Sequence, residues 1–235
     1  MPTNYVDERI AKSYEAKWPE LFEPAVVEPA VRFLTDLAGT GAALEPGIGT
    51  GRIAIPLSQR GVRVHGIDLS PDMVAQLQAK PGTGDIGVTV GDFATIRVGG
   101  TFTLVYLSAT RSRTSPPRRA GCLFPYVAAQ LESGGRFVIE VYIPELQRLP
   151  SGEAIHGFAV TPTHLGFEEY DVAAQIAVSH HYWVVDGQAD RACGSHPSRP
   201  SPHRLIRSGL CRGFQGEQHG AEVIVEPALV GGGQR

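Results

Sequence analysis

The stretch Glu45-Pro46-Gly47-Ile48-Gly49-Thr50-Gly51 lies between the apolar run Ala42 to Glu45 and a run of helical character, Arg52 to Arg60. Glycines let a backbone turn sharply and approach a ligand closely, and a helix that follows presents unpaired N–H groups and the positive end of its dipole. Alone, such a loop is equally a tight turn. Two further acids strengthen the binding reading. Asp68 closes the run Val62 to Ile67, 17 residues beyond Gly51. A carboxylate there can accept hydrogen bonds from both hydroxyls of a ribose, whereas as an isolated acid it would only cap the next helix. Gly91-Asp92-Phe93 repeats the arrangement after Val88-Thr89-Val90. Here an acid can accept from an adenine amine and Phe93 can contact the base.

These residues need a scaffold that puts strand ends side by side. Tyr5 to Trp18 reads as a short helix, and Pro29 can open a second one running to Ala38, stopped by Gly39 and Gly41. Ser70 and Pro71 form an N-cap and first-turn pair for a helix through Met73, Val74 and Leu77. Phe102 to Leu107 is a further strand. A helix ends over Val127 to Leu131, Gly134-Gly135 turns, and Arg136 to Tyr142 is a strongly apolar fifth strand. Alternating strands and helices with near-continuous apolar strands imply a parallel sheet covered on both faces, which binds ligands at the carboxyl ends of its strands. From Phe158 to Val185 the pattern changes. Phe167 to Tyr170 and Gln175 to Val185 read as paired antiparallel strands, a candidate lid.

The three acidic strand ends, Glu45, Asp68 and Asp92, with the glycine loop at the first, resemble the motifs of class I S-adenosylmethionine-dependent methyltransferases of the small-molecule type. The resemblance covers residues 1–107 and 127–142 and extends less specifically to Asp186. Leu131-Glu132-Ser133-Gly134-Gly135 looks like the family's turn into its fifth strand, with Ser133 where a proline is usual. It implies an α/β fold: a Rossmann-like, doubly wound, mostly parallel sheet with a small antiparallel β lid after the fifth strand. The implied division is a cofactor-binding core over 1–145, a lid over 146–186 and an irregular C-terminal segment over 187–235. The implied cofactor is S-adenosylmethionine. Glu45, Gly47, Gly49, Thr50 and Gly51 would contact its amino-acid part, Asp68 and the adjoining Leu69 its ribose, and Asp92 and Phe93 its adenine. Tyr14 sits where the family often places an aromatic over the cofactor. The implied partner is a small-molecule methyl acceptor.

Other readings stay open. Gly49-x-Gly51-x-x-Ala54 also satisfies a dinucleotide fingerprint, and Asp68 would suit NAD as well. Glu45 before the loop and Gly91-Asp92 after it favour the methyltransferase. A non-catalytic relic of such an enzyme is the other alternative, and a cooperative melt would discriminate against it. No catalytic base is evident. A sulfonium methyl is already activated, so alignment can supply much of the rate. His180, His181 and Tyr182 are candidates for acceptor contact or proton removal. Adjacent strand residues point to opposite faces, so at most one of the two histidines would face a site. Packed or exposed strand residues are the simpler account.

Composition sets outer bounds. The chain has 235 residues, 42% of them hydrophobic, enough for a real core. No apolar run approaches the roughly 18 residues of a membrane span, and Met1 to Glu8 lacks a signal pattern, so a cytoplasmic protein without membrane contact is expected. Cys122, Cys193 and Cys211 show no CxxC spacing, so neither a disulfide framework nor a metal site is expected. Net charge of −3 argues against nucleic-acid binding. Two basic islands interrupt this: Arg111, Arg113, Arg118 and Arg119 without an acid, and five arginines within 187–220. Pro116-Pro117 and the lack of an apolar period forbid a normal helix where the family has one. Codons permitted for Ser108 to Arg118, read one base earlier, encode R-N-T-I-E-N-L-T-T-Q after an apolar residue, which looks more like the family's loop and helix start. A compensated pair of frame changes is therefore one account of 108–127, and an ordered functional loop the other. The same question attaches to the C-terminus, where Leu205 to Leu210 could be a helix remnant and Glu222 to Val225 could pair as a strand, although Pro227 and Gly231-Gly232-Gly233 suit a frayed end better.

Overall fold

The computed structural model describes residues 8–108, 125–141, 149–171, 176–185, 188–191, 196–198 and 222–227. In chain order the elements are α1 (Glu8–Lys17), a 3-10 turn (Pro19–Phe22), α2 (Pro24–Ala38), β1 (Ala42–Pro46), α3 (Ala54–Gln59), β2 (Arg63–Asp68), α4 (Pro71–Gln78), β3 (Gly87–Val90) and β4 (Phe102–Leu107). Residues 125–130 are helical. There follow β5 (Leu131–Val141), β6 (Ile155–Val160), β7 (His164–Asp171), β8 (Ile176–Val185), β9 (Gln188–Arg191), β10 (His196–Ser198) and β11 (Glu222–Pro227). The chain divides into two compact units: Met1–Thr110 with Cys122–Val141 and Gly213–Arg235, and Arg111–Gly121 with Tyr142–Arg212.

The first unit is a parallel sheet in the order β11-β5-β4-β1-β2-β3. Its strands are apolar on both faces, and consecutive residues enter opposite cores. Ala43, Leu104 and Val138 join one cluster with Val31, Leu34, Ile53 and Leu57, while Leu44, Val105 and Phe137 join another with Tyr126 and Val127. Leu104 is fully buried, and withdrawing such a side chain from water stabilises by about 1.5–3 kcal/mol. From β1 the chain moves outward through β2 to β3, then returns to lay β4 on the other side of β1. The strand order therefore reverses between β1 and β4, the place where open α/β sheets bind ligands at the carboxyl ends of their strands.

Local chemistry explains the elements and three departures from expectation. Ser70 caps α4 as expected: its Oγ accepts from the Met73 N–H at 3.3 Å, and Met73, Val74 and Leu77 are buried. By contrast α2 opens at Pro24, not Pro29. Pro24 serves the first turn equally well, and the buried Val31, Leu34 and Ala38 carry the helix through Pro29. The helix ends at Gln130, close to its expected end, but β5 already begins at Leu131, so Gly134-Gly135 lie within the strand and not before it. Phe102 pairs with Leu131 and Leu104 with Arg136, so the glycines sit in an irregularity within the strand, where extra residues loop out of the ladder. The strand that Glu222 to Val225 could form is present and includes Pro227, in place of the expected frayed end: β11 pairs in parallel with β5 from Glu222↔Arg136 to Pro227↔Val141. An edge position tolerates Pro227, whose missing N–H need not face a partner.

The second unit is antiparallel, with β7 central between β6 and β8, while β9 and β10 pair with opposite ends of β8. The expected pair over 167–185 is present, and β6 is an addition to it. Thr161 closes the β6–β7 hairpin: its Oγ1 accepts from the His164 N–H at 2.9 Å, and its own N–H donates to the His164 carbonyl at 2.9 Å. The basic residues within 109–124 and the arginines at 199–212, with the remnant over Leu205 to Leu210, lie outside the described residues.

Candidate functional site

The glycine loop hangs from β2. The N–H groups of Gly47 and Ile48 both donate to the Ile67 carbonyl, at 2.6 and 3.1 Å, and the Gly49 N–H donates to Asp68 Oδ2 at 2.8 Å. The other Asp68 oxygen accepts from the Ser70 N–H at 2.8 Å. Asp68 thus fastens the loop to the start of α4, while the cap itself is Ser70. Burial pushes the Asp68 carboxyl up, against the N–H groups of Ser70, Gly49 and Leu69, which favour its charged form. The strand ends are knitted further by the Gly91 N–H, which donates to the Asp68 carbonyl at 2.7 Å. Asp92 Oδ1 accepts from the Ala94 N–H at 3.0 Å, and the Phe93 ring stands 6.4 Å from Tyr126.

Two glycines of the loop serve different ends. Gly49 has φ +55°, and a Cβ there would stand in ordinary contact with Met73 Cε at 3.5 Å and the Gly47 carbonyl at 3.9 Å. Gly51 has φ +83°, and a Cβ there would meet Leu77 Cδ1 at 2.2 Å. Gly51 therefore admits α4 as well as making the turn. Glu45 is buried at the end of β1 and accepts from the Tyr106 hydroxyl at 2.7 Å. Burial pushes its carboxyl up to about 8, although the Tyr106 hydrogen bond and the Arg52 charge pull the other way.

Glu45, Gly47, Gly49, Thr50, Gly51, Asp68, Leu69, Asp92 and Phe93 all stand at or just beyond the carboxyl ends of β1, β2 and β3. Tyr14 lies on α1 with its ring edge-on to Phe22 at 6.4 Å. Its neighbour Glu15 forms an ion pair with Lys80, whose ammonium also donates to the Thr50 carbonyl at 2.7 Å. In the second unit His180 stacks on Phe167 and lies 3.3 Å from Glu169, while His181 is buried against His164 at 3.1 Å. The two histidines have separate surroundings, as alternation requires. Tyr182 stacks on Phe167 with His180.

The comparisons bear on this arrangement. Residues 43–135 match the model of a methyltransferase domain. Over those residues the chain is similar to the methyltransferase domain family. Among solved structures it is similar to the CcbJ methyltransferase of Streptomyces caelestis, at 26% identity and TM-score 0.71 over 88% of this chain and 87% of that one. It is also similar in fold to CalS10 of Micromonospora echinaspora, an amino pentose methyltransferase, at 16% identity and TM-score 0.63 over 90% of both chains. The sugar N-methyltransferase KedS8 of Streptoalloteichus matches at 17% identity and TM-score 0.60, over 90% of this chain and 87% of that one. No curated protein matches the chain. Among the described residues, no helix is long and apolar enough to cross a membrane.

The parallel sheet also holds a polar group that the sequence reading did not single out. Arg52, directly after Gly51, donates from Nη2 to Glu140 Oε2 at 2.8 Å and to the Ser108 hydroxyl. Ser108 in turn donates to Glu140 Oε2 at 3.0 Å. These residues join the glycine loop to the carboxyl ends of β4 and β5. One signal was available: Glu140 is the single acid in the apolar run Phe137 to Tyr142.

Proposed function

We propose that the chain transfers a methyl group from S-adenosylmethionine to a small-molecule acceptor. One observation supports this most: the glycine loop at the strand-order reversal is tied to Asp68, with acids ending each of β1, β2 and β3. The residues suit the cofactor's parts. Nothing lies within 4 Å of a Cβ built on Gly47, so the loop leaves space for close approach. Glu45, neutral when empty, would ionise against an α-ammonium. Asp68 and Leu69 would hold the ribose, and Asp92 with Phe93 the base, beside Val90, which is half exposed at the end of β3. Gly49 and Thr50 would flank the amino-acid part, with Gly51 shaping the turn and Tyr14 covering the site from α1. When bound, the cofactor supplies an activated methyl on sulfur. The chain's own part is to exclude water and align an acceptor with it.

Binding decides this reading. S-Adenosylhomocysteine should raise the melting temperature of the full chain, and NAD should not. Asp68→Ala should weaken S-adenosylhomocysteine binding by about 1–3 kcal/mol in calorimetry, through loss of a buried acceptor. Stabilisation by NAD alone would favour the dinucleotide reading. A chain with no cooperative melt would favour the relic.

A further inference from the structure

We propose that Glu140 holds the methyl acceptor through Oε1 and that the attacking nucleophile is an amine. The inference rests on the methyltransferase reading and names the substrate class of the same site. The strand-order reversal has two sides. The β1–β3 side carries the glycine loop and the acids at the strand ends. The opposite side, at the ends of β4 and β5, carries Ser108 and Glu140, and a second reactant would meet the first from there.

The Arg52–Glu140 pair is costly as a mere structural device. The Arg52 side chain is 9% exposed and that of Glu140 25%. Buried ion pairs lose so much hydration that apolar residues of similar volume often stabilise as well or better. Here the cation fixes one carboxylate oxygen and leaves the other: Oε2 takes both Arg52 and Ser108, and Oε1 has no partner among the described residues. The second oxygen of a clamped carboxylate, on a side chain one quarter exposed, is a rigid acceptor for an N–H or O–H, and it repels carboxylate and phosphate nucleophiles.

The chemistry selects the amine. Its lone pair forms the N–C bond as the C–S bond breaks, the sulfonium becomes a thioether, and the nitrogen carries the positive charge until it loses a proton to water. A carboxylate beside that nitrogen favours the charge that develops. A primary or secondary amine also keeps an N–H for Oε1 while its lone pair attacks. A hydroxyl would need its proton removed by an oxygen pair already half engaged.

The test uses sinefungin, a cofactor analogue whose amine stands where the transferable methyl would be, alongside S-adenosylhomocysteine. Calorimetry on the full chain should show sinefungin bound about tenfold more tightly than S-adenosylhomocysteine. Glu140→Gln keeps the shape and can still accept from Arg52. It should erase that preference and leave S-adenosylhomocysteine affinity unchanged. Should Glu140→Gln lose its cooperative melt, Glu140→Asp is read in the same way, since its carboxylate is withdrawn by one methylene. Equal affinities in the unaltered chain, or a preference that survives in the variant, overturn the assignment. Failure of the unaltered chain to bind S-adenosylhomocysteine would overturn the methyltransferase reading itself.

Discussion

In the parallel sheet the site's polar side chains gather at one end of the strands, whereas in the antiparallel sheet they run the length of β7 and β8. Around β1 to β5 the charged residues of the site avoid the strand interiors, and Glu45, Asp68, Ser108 and Glu140 all stand at or just past carboxyl ends. Along the second sheet His164 stacks on Trp183 at 3.8 Å, His180 on Phe167 at 4.6 Å, and the buried Glu168 accepts from Tyr170. The first pattern concentrates charge where the proposed cofactor would bind. The second uses cross-strand pairs to hold a sheet together. Substitutions at the two places should therefore fail differently.

The largest effect should come from Gly51→Val. Its positive φ and the collision with Leu77 add backbone strain to overpacking, a loss of about 3 kcal/mol or more in chemical denaturation. A wild-type midpoint would show that the loop and α4 part easily, contrary to the packing described. Gly49→Val should spare the fold more and instead abolish S-adenosylhomocysteine binding. Its φ of +55° is still strained, but the added carbon meets nothing closer than Met73 at 3.5 Å.

Glu45 sharpens the contrast through pH. Its carboxyl titrates near 8 when folded and at the ordinary carboxylate value when unfolded. The folded state then holds the extra proton between those values, so this group's contribution to stability is full below the ordinary value and declines as pH rises to about 8. Glu45→Gln should flatten that decline in denaturation curves taken across the range. The unaltered chain should also release a proton on binding S-adenosylhomocysteine at pH 7, read by calorimetry in buffers of different ionisation enthalpy. Absence of release would mean that Glu45 is already charged or lies apart from the ligand.

In the antiparallel sheet, His164→Ala should cost about 0.5–1.5 kcal/mol of stability, the worth of an aromatic stack, without altering S-adenosylhomocysteine affinity. An altered affinity would erase the distinction between the sheets. Least of all should come from Lys12→Ala, which removes a fully exposed pair with Glu8 one turn away on α1. No measurable change in melting temperature is expected.

Much of this was written in local sequence. The glycine loop, Asp68, Asp92 and the Ser70 cap each follow from residue types a few positions apart, because turns and caps are short-range chemistry. Apolar runs of strand length, alternating with helical periods, specified a doubly wound parallel sheet. Long-range pairing was another matter. Nothing near Glu222 announces a partner 86 positions away in Arg136, and Leu131 looked helical until Phe102 claimed it as a strand partner. Pro24 and Pro29 satisfy the same first-turn rule, and only the packing of Val31 and Leu34 chose between them. The Arg52–Ser108–Glu140 group joins residues 56 and 88 positions apart. Sequence fixed where acids end strands, since that depends on neighbours along the chain. Only the tertiary fold decided which of those groups share a hydrogen bond, since that depends on which strands lie side by side.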